Sequence, residues 1–411
     1  MNKFFVFLLI LVTFSCTNTP RTINNSSRND IIKFFEINYE KVLQNKQVLR
    51  LSEIASNVEY VRLETNKNCL IRPVVKYFFT DSLIFVQNVN EILKFSRDGR
   101  FLKKIGNPGR GPGEIDVIRL MSILLEERLI AIQKNQERTL LFFSFNGDLV
   151  KTIKFESDIS YTKVLPDKKY ITYEPGFRGS EKYTFCLMNE NWDTLSIIEN
   201  YSKWIRTPSM LRIMITYPQF EPFYFSMGKC HFKSMYNDTI YVNNFDKIYP
   251  EYFINLGKYK LPEELRPERV NAENYKKFED NQDKYFFVNV FEASNKIFLS
   301  SSSYSETFVN YTVFDKIKRK GLLLLNRNSV STGFINDWDG GMDFYPIGCV
   351  NENQVYMPIN AMDIQEKHSS NHDYEEPIAF PEKEIYFKKL ISNIDMTDNP
   401  IIMVVTLKED N

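Results

Sequence analysis

The sequence has no excess of charge of either sign and very little histidine. Fifty-two basic residues balance fifty-two acidic ones among 411, so no overall field attracts polyanions and nucleic acid is not expected as a partner. The three histidines, His231, His368 and His372, leave few candidates for a Ser-His-Asp relay, and no GxSxG turn is present. His368 and His372 have the spacing of a zinc helix, but no glutamate follows His368, so a solvated loop is predicted. No catalytic residue, metal site or cofactor is predicted.

Cysteine is also scarce, and its spacing is uninformative. Apart from Cys16, the four cysteines Cys69, Cys186, Cys230 and Cys349 are far apart, and none forms a CxxC pair. An oxidising compartment would permit disulfides, but wide spacing identifies no partners. Buried free thiols are the favoured interpretation, and disulfides remain the alternative.

Long hydrophobic runs are missing except at the N terminus. A run from Phe4 to Phe14, apolar apart from Thr13, follows Lys3 and ends just before Cys16. The run is too short to span a bilayer as a helix, but it fits a secretory signal. It resembles the signal of a bacterial lipoprotein, which implies that Cys16 is acylated and anchors the chain in a lipid bilayer. An ordinary signal peptide with a chance cysteine is the alternative.

The predicted segments are therefore a signal peptide over residues 1–15, a flexible tether over 16–35 and one folded domain over 36–411. Asn, Ser, Thr and Arg dominate residues 17–30, as is typical of a tether. By the lipoprotein sorting pattern, the absence of Asp after Cys16 implies the outer membrane. No acidic cluster follows that cysteine, so the periplasmic face is favoured over the cell surface.

What the chain does contain is a repeated β-hairpin. Hydrophobic residues make up 43% and aromatic residues 15% of the sequence, which is enough for a large core. Asp98-Gly99 and Asn146-Gly147 each lie between alternating apolar segments, where they favour a tight hairpin turn. A hairpin repeat of roughly 40 to 50 residues is typical of propeller blades. Six blades fit the length best, with five or seven as alternatives.

The last strand-like segment is suited to closing such a ring. Ile401–Leu407 is apolar apart from Thr406, so it is expected to be buried on both faces and to pair near Val58–Leu63. Four segments look like one blade strand repeated, namely Ser82–Val86, Thr239–Val242, Lys296–Leu299 and Gln354–Met357. Helical signals occur between blades, from Leu261 to about Asp283 and over Pro381–Ile394, and Ser202–Phe225 is a third insertion.

Several segments resemble markers of the six-bladed β-propeller lipoproteins of Bacteroidetes, relatives of the NHL-repeat propellers. The markers, in order along the chain, are Leu51–Thr65, Gly106–Glu114, Leu256–Glu264, Asn336–Gly341 and Asp398–Ile401. The resemblance covers most of the mature chain and implies an all-β, six-bladed propeller with a few helical insertions. It implies no activity, because a fold does not determine a function.

Two loops are candidate ligand sites. The loop from Gly109 to Glu114 could hold an anion with backbone amides and Arg110, or could be a crossover in which Arg110 pairs with Glu114 or a neighbour. The crossover is the favoured interpretation. The turn Asp337-Trp338-Asp339 could stack on a sugar or hold calcium, and an ordinary acidic turn is the favoured alternative.

The leading hypothesis is a membrane-tethered, non-enzymatic propeller that binds a peptide, protein or glycan at one mouth of its channel. A periplasmic hydrolase or lyase acting on glycans or peptides is the first alternative, and it would require a carboxylate pair or metal facing the channel. A structural subunit of an outer-membrane complex is the second.

Overall fold

The strands of the chain form six small sheets. A computed structural model describes residues 34–72, 76–134, 139–155, 160–211, 220–306, 309–325, 333–369 and 377–409, and the side chains of His368 and Ser369 are not among them. Cys16, the predicted signal peptide and His372 lie outside the described residues. Each sheet has four or five strands, and all six share the same order.

The described chain begins with a segment that runs along three sheets. Its elements are β1 (Phe35–Asn38), α1 (Tyr39–Gln44), β2 (Lys46–Gln47), α2 (Leu51–Ile54) and β3 (Ala55–Arg62). The first strand starts one residue before the predicted start of the folded domain. Asn38 caps α1, since its side chain accepts a hydrogen bond from the Lys41 amide.

Three blades follow, each a four-stranded antiparallel sheet. Blade 1 contains β4 (Lys76–Phe79), β5 (Leu83–Gln87), β6 (Ile92–Ser96) and β7 (Phe101–Ile105). Blade 2 contains β8 (Ile118–Leu124), β9 (Leu129–Lys134), β10 (Thr139–Ser144) and β11 (Leu149–Lys154). Blade 3 contains β12 (Tyr161–Val164), β13 (Tyr170–Tyr173), β14 (Tyr183–Met188) and β15 (Thr194–Glu199).

The other three blades incorporate the N-terminal segment. Blade 4 contains β16 (Phe223–Ser226), β17 (Lys229–Phe232), β18 (Thr239–Asn244) and β19 (Lys247–Asn255), and blade 5 contains β20 (Phe286–Ala293), β21 (Lys296–Ser303), β22 (Val309–Asp315) and β23 (Lys320–Leu324). Blade 6 contains β24 (Gly348–Cys349), β25 (Gln354–Ile359) and β26 (Ile401–Leu407). The outermost strands of blades 4, 5 and 6 are β1, β2 and β3 respectively.

The ring closes where the sequence predicts it. The strand β26 pairs antiparallel with β3, from Ile401 opposite Arg62 to Leu407 opposite Ala55. It also pairs with β25, so it is an interior strand of blade 6. The first strands of neighbouring blades contact one another around a common axis. The chain is therefore a six-bladed β-propeller, as predicted.

Burial along the strands explains why these sequences form blades. The middle strands β9 and β10 are buried almost throughout, because neighbouring blades cover both of their faces, whereas the outer strand β11 is mostly exposed.

Gly99 in the β6–β7 turn has φ +91°, and a Cβ there would lie 2.1 Å from the Arg62 carbonyl oxygen, so only glycine fits. Gly147 occupies the same turn of blade 2, which confirms the repeat.

The helices differ from the predictions in extent. The helix α5 (Pro381–Ile391) confirms the prediction over Pro381–Ile394, whereas α4 (Ala361–Ser369) was not predicted. From Leu261 onward only a 3-10 turn (Glu263–Leu265) forms before α3 (Ala272–Glu279), because Pro267 forces the preceding Arg266 into an extended conformation. Other 3-10 turns span Pro166–Lys168, Gly257–Tyr259 and Gln282–Lys284.

One predicted equivalence between strands is wrong. Three of the four similar segments, β5, β21 and β25, are second strands of their blades, but β18 is a third strand. Second and third strands are both covered on both faces, so their apolar patterns are the same. The predicted third insertion also ends earlier than Phe225, because β16 begins at Phe223.

Candidate functional site

The long connections all lie on one face of the ring. Strands alternate in direction within a blade, so the connections between second and third strands, and those from each blade to the next, emerge on the same side. This side, the connection face, carries segments 106–117, 256–285, 360–369 and 377–400. The opposite side, the turn face, carries the short hairpins. The strand β19 is the fourth strand of blade 4 and begins at the turn face. Because β1 runs parallel to β19, the described part of the chain also starts at the turn face.

Arg110 and Glu114 lie in the crossover from blade 1 to blade 2, on the connection face. The Glu114 carboxylate turns into its own loop, where Oε2 accepts a hydrogen bond from the Gly111 amide at 2.7 Å. A Cβ on Gly109 would lie 2.0 Å from that same oxygen, which explains the glycine. Arg110 is exposed and forms no ion pair with a described residue. The loop is thus a crossover held by Glu114, and anion binding stays a prediction.

Asp337, Trp338 and Asp339 lie in the crossover from blade 5 to blade 6, and all three are buried. The Asp337 carboxylate accepts hydrogen bonds from the amide and the hydroxyl of Ser52, at 2.9 and 2.5 Å. The Trp338 ring packs on Phe380, with centroids 4.2 Å apart.

The Asp339 carboxylate is also satisfied within the chain. Its Oδ1 accepts hydrogen bonds from the Tyr60 hydroxyl at 3.0 Å, the Asn336 side-chain amide at 2.9 Å and the Gly341 amide at 3.0 Å. Burial raises the pKa of Asp339, and these hydrogen bonds oppose the rise. The turn therefore ties the crossover to the N-terminal segment. No contact among the described residues joins it to Arg110 or Glu114.

Side chains of the protein itself bridge the central channel. Lys76 of blade 1 forms an ion pair with Glu221, which precedes β16 of blade 4, so the pair joins opposite sides of the ring. Lys163 of blade 3 donates to the Met121 carbonyl of blade 2 at 2.8 Å, and its Nζ lies 5.6 Å from the centroid of the Phe225 ring of blade 4. Burial lowers the pKa of Lys163, and Glu221 opposes this. These contacts cross the channel at the level of Lys76 and Lys163.

A polar cleft lies between the crossovers that flank blade 4. The two crossovers are joined by an antiparallel bridge between Met210 and Asn271, and the Leu211 amide donates to the Val270 carbonyl at 2.8 Å. Beside this bridge is a cavity of about 400 Å³. Seven of its eight lining residues are of polar types, and the eight are Thr207, Ser209, Met210, Glu263, Glu264, Arg269, Asn271 and Asn274.

Ser202 holds the cleft together on one side. Its hydroxyl donates to Glu263 at 2.6 Å and accepts from Arg266 at 2.8 Å and from Arg269 at 3.0 Å. The hydrogen bond from Ser202 lowers the pKa of Glu263, against partial burial and together with both arginines. The Arg269 guanidinium also lies 5.7 Å from the Trp204 ring, whose Nε1 donates to the Gly176 carbonyl. The arginines are therefore fixed in place by the chain.

Three other side chains of the cleft have polar atoms that form no hydrogen bond with the described residues. The Asn271 Oδ1 caps α3 by accepting from the Asn274 amide at 2.8 Å, but its Nδ2 donates to no described residue. Asn274 donates to the Glu264 carbonyl at 3.3 Å, and its Oδ1 accepts from no described residue. The Glu264 carboxylate forms no contact with the described residues either. A donor, an acceptor and a carboxylate therefore line one cavity.

A buried amine lies in the β17–β18 connection of the same face. Lys233 is 2% exposed, and its Nζ has no hydrogen-bond partner among the described residues. It lies 5.2 Å from the Phe220 ring, and burial lowers its pKa to about 8, with Asp238 opposing. Asp238 pairs instead with Lys260 at 3.2 Å.

Sequence reasoning missed the cleft. Ser202, Asn271 and Asn274 belong to no motif, and each is an ordinary polar residue of an insertion. The usable signal is that two long insertions flank the same blade, which brings them together on one face. By contrast, Cys69, Cys186 and Cys230 are free and buried, as the favoured interpretation predicted, whereas Cys349 is free but only partly buried.

Among the described residues, no helix is long and apolar enough to cross a membrane. No curated protein matches the sequence. One similar crystal structure is that of a protein from Bacteroides fragilis NCTC 9343 that has been assigned as exported. The similarity covers 92% of this chain and 99% of that chain, with a TM-score of 0.68 and 16% identity. This likeness shows the shared fold.

A second crystal structure is of a member of the DUF4221 family from Bacteroides vulgatus. It covers 87% of this chain and 98% of its own at 11% identity, but its TM-score of 0.44 carries no argument. The family model described as "Domain of unknown function (DUF4934)" matches residues 34–406. The predicted six-bladed propeller fold is confirmed, whereas the relationship to NHL-repeat propellers and the lipoprotein anchor stay predictions. The chain belongs to the DUF4934 family.

Proposed function

We propose that the protein is a binding propeller of the cell envelope, anchored to the outer membrane through Cys16, that holds a glycan in the cleft beside blade 4. The observation that carries the proposal is the set of unpaired polar groups on Asn271, Asn274 and Glu264 around one cavity of about 400 Å³.

The chemistry of the lining favours a glycan over the other ligand classes. Amide and carboxylate groups are planar and can each bind two neighbouring hydroxyls, and a sugar hydroxyl both donates and accepts. The guanidiniums of Arg266 and Arg269 are already paired with Glu263, so the residues that line the cavity offer an acidic ligand no unpaired cation. Seven of the eight lining residues are of polar types, which can bond hydroxyl groups.

The cleft lies on the connection face of the ring, whereas β1 begins at the turn face. The neighbouring Bacteroides fragilis protein, described as exported, supports an envelope location.

A glycan array with the detergent-solubilised full chain tests the cleft. We expect Asn271→Asp to weaken binding about tenfold, because it keeps the helix cap but removes the free amide donor, a loss of about 1–2 kcal/mol. The matched control is Asn281→Asp, the same change at a side chain that bonds Lys277 outside the cavity. Binding to no oligosaccharide, or equal loss in both variants, would overturn the proposal.

Membrane fractionation tests the anchor separately. We expect the wild type to sediment with membranes, and Cys16→Ser to appear in the soluble fraction, since an acyl chain is the only predicted attachment. Thr17→Ser, next to the acylation site, should behave as the wild type. Unchanged membrane association of Cys16→Ser would remove the lipoprotein proposal and leave the cleft untouched.

A further inference from the structure

Three potential metal ligands converge between blades 4 and 5. They are His231 on β17, Glu251 on β19 and Glu292 on β20, and one ligand atom from each lies within 4.8 Å of the others. His231 and Glu292 are each 3% exposed. The Glu251 side chain is 28% exposed, which leaves a path for an ion from solvent.

A β-bulge aims Glu251 at this point. Ile240 pairs with Tyr252 but the next residue, Tyr241, pairs with Pro250, so Glu251 is the extra residue of β19. Consecutive strand residues normally point to opposite faces, and a bulge redirects one of them. As a result, Glu251 reaches His231 while Tyr252 reaches Glu292 in the same cluster.

Two polar atoms of this cluster have no hydrogen-bond partner among the described residues. His231 Nε2 and Glu251 Oε2 are 2.8 Å apart, yet Glu251 Oε2 accepts no hydrogen bond from a described residue. The other ring nitrogen of His231, Nδ1, is also buried without a partner among the described residues. Buried polar groups are almost always satisfied. A bound cation would satisfy a nitrogen lone pair and a carboxylate oxygen together.

Neighbouring groups hold the Glu292 carboxylate in place. The hydroxyls of Tyr224 and Tyr252 donate to one carboxylate oxygen at 2.7 and 2.8 Å, and Lys316 donates to the other at 2.8 Å. Three donors of the chain therefore fix the orientation of this carboxylate beside His231 and Glu251.

We propose that His231, Glu251 and Glu292 bind a divalent transition-metal ion that links blades 4 and 5, and that Zn²⁺ fits these ligands best. Imidazole excludes Ca²⁺ and Mg²⁺ as preferred ions, and zinc commonly takes three protein ligands and one water. Metal-ligand distances of about 2.0–2.2 Å place two tetrahedral ligands more than 3 Å apart, so His231 Nε2 and Glu251 Oε2, which are 2.8 Å apart, would separate slightly when an ion binds. The tyrosines act as groups that orient a ligand carboxylate.

Thermal unfolding of the full chain in EDTA and in excess Zn²⁺ tests this. We expect zinc to raise the Tm of the wild type by roughly 3–8 °C, since ligand bound only to the folded state stabilises it. Glu251→Gln, at a partly exposed position, should fold normally in EDTA and lose the zinc shift. Glu199→Gln, on the outer strand of blade 3, should keep it.

The visible absorption of bound Co²⁺ is a second measurement, and it reports metal binding directly and not only the stability of the fold. Co²⁺ added to the wild type should produce visible bands at one equivalent, and His231→Gln should abolish them while circular dichroism shows a folded chain. No zinc shift in the wild type, or an equal shift in Glu251→Gln and Glu199→Gln, would overturn the proposal. Equal cobalt bands in wild type and His231→Gln would do the same.

Discussion

Deleting Pro400 to Leu407 should abolish cooperative folding of the entire chain. The deletion removes β26, which is buried along nearly its whole length between β25 and β3. Five consecutive core side chains are lost, and each large-to-small change in a core costs about 2–5 kcal/mol. The sum, about 10–25 kcal/mol, is as large as or larger than the total stability of a typical domain, about 5–15 kcal/mol. We expect a thermal scan without a cooperative transition.

A shorter truncation is the matched control. Ending the chain after Lys408 keeps β26 whole and retains the hydrogen bond from the Lys408 amide to the Ile54 carbonyl at 2.8 Å. This variant should melt like the wild type. If the chain lacking Pro400 to Leu407 stays soluble and melts cooperatively, β26 does not close the ring.

Replacing Lys233 by methionine should stabilise the protein at pH 7 by up to about 3 kcal/mol. The amine is buried with no hydrogen-bond partner among the described residues, and burial lowers its pKa to about 8 from an ordinary value of 10.5. Each pKa unit corresponds to about 1.4 kcal/mol. Methionine has similar length, packs beside Phe220 and needs no partner.

The pH dependence of this gain identifies its cause. Between pH 8 and 10.5 the unfolded chain still binds the proton that the folded amine has lost, so the stability of the wild type rises with pH across that window. The advantage of Lys233→Met is therefore full below pH 8 and disappears above pH 10.5.

Urea unfolding at pH 7 and pH 10 measures both values. Lys276→Met is the control, because Lys276 is exposed on α3 and forms no ion pair with a described residue, and it should change stability by less than about 1 kcal/mol at either pH. A destabilised Lys233→Met, or a difference from wild type that is constant between the two pH values, contradicts the assignment.

The ring could be predicted from the sequence because its signals are local. Asp98-Gly99 and Asn146-Gly147 each specify a hairpin at the same place in a blade, and the apolar run Ile401–Leu407 requires cover on both faces. The pairing of that run with Val58–Leu63 follows once the blades form a circle, and the structure confirms it.

The parallel strands β1 and β2 could not be predicted in the same way. Each is short and lies in a segment whose partner strand is more than 200 residues away, so no local pattern specifies the pairing. Asp339 shows the same limit for a site: the sequence shows an acidic turn, whereas its hydrogen bond to Tyr60 joins residues 279 positions apart. The unpaired amide of Asn271 likewise becomes visible only when its cavity is known.

A crystal structure with the oligosaccharide that binds most tightly on the array tests the central proposal most directly. The predicted result is a sugar in the cleft beside blade 4, with hydroxyls bonded to Asn271 Nδ2 and Asn274 Oδ1. Sugar density in the central channel beside Lys76 and Glu221, or on the turn face, would contradict the proposed site.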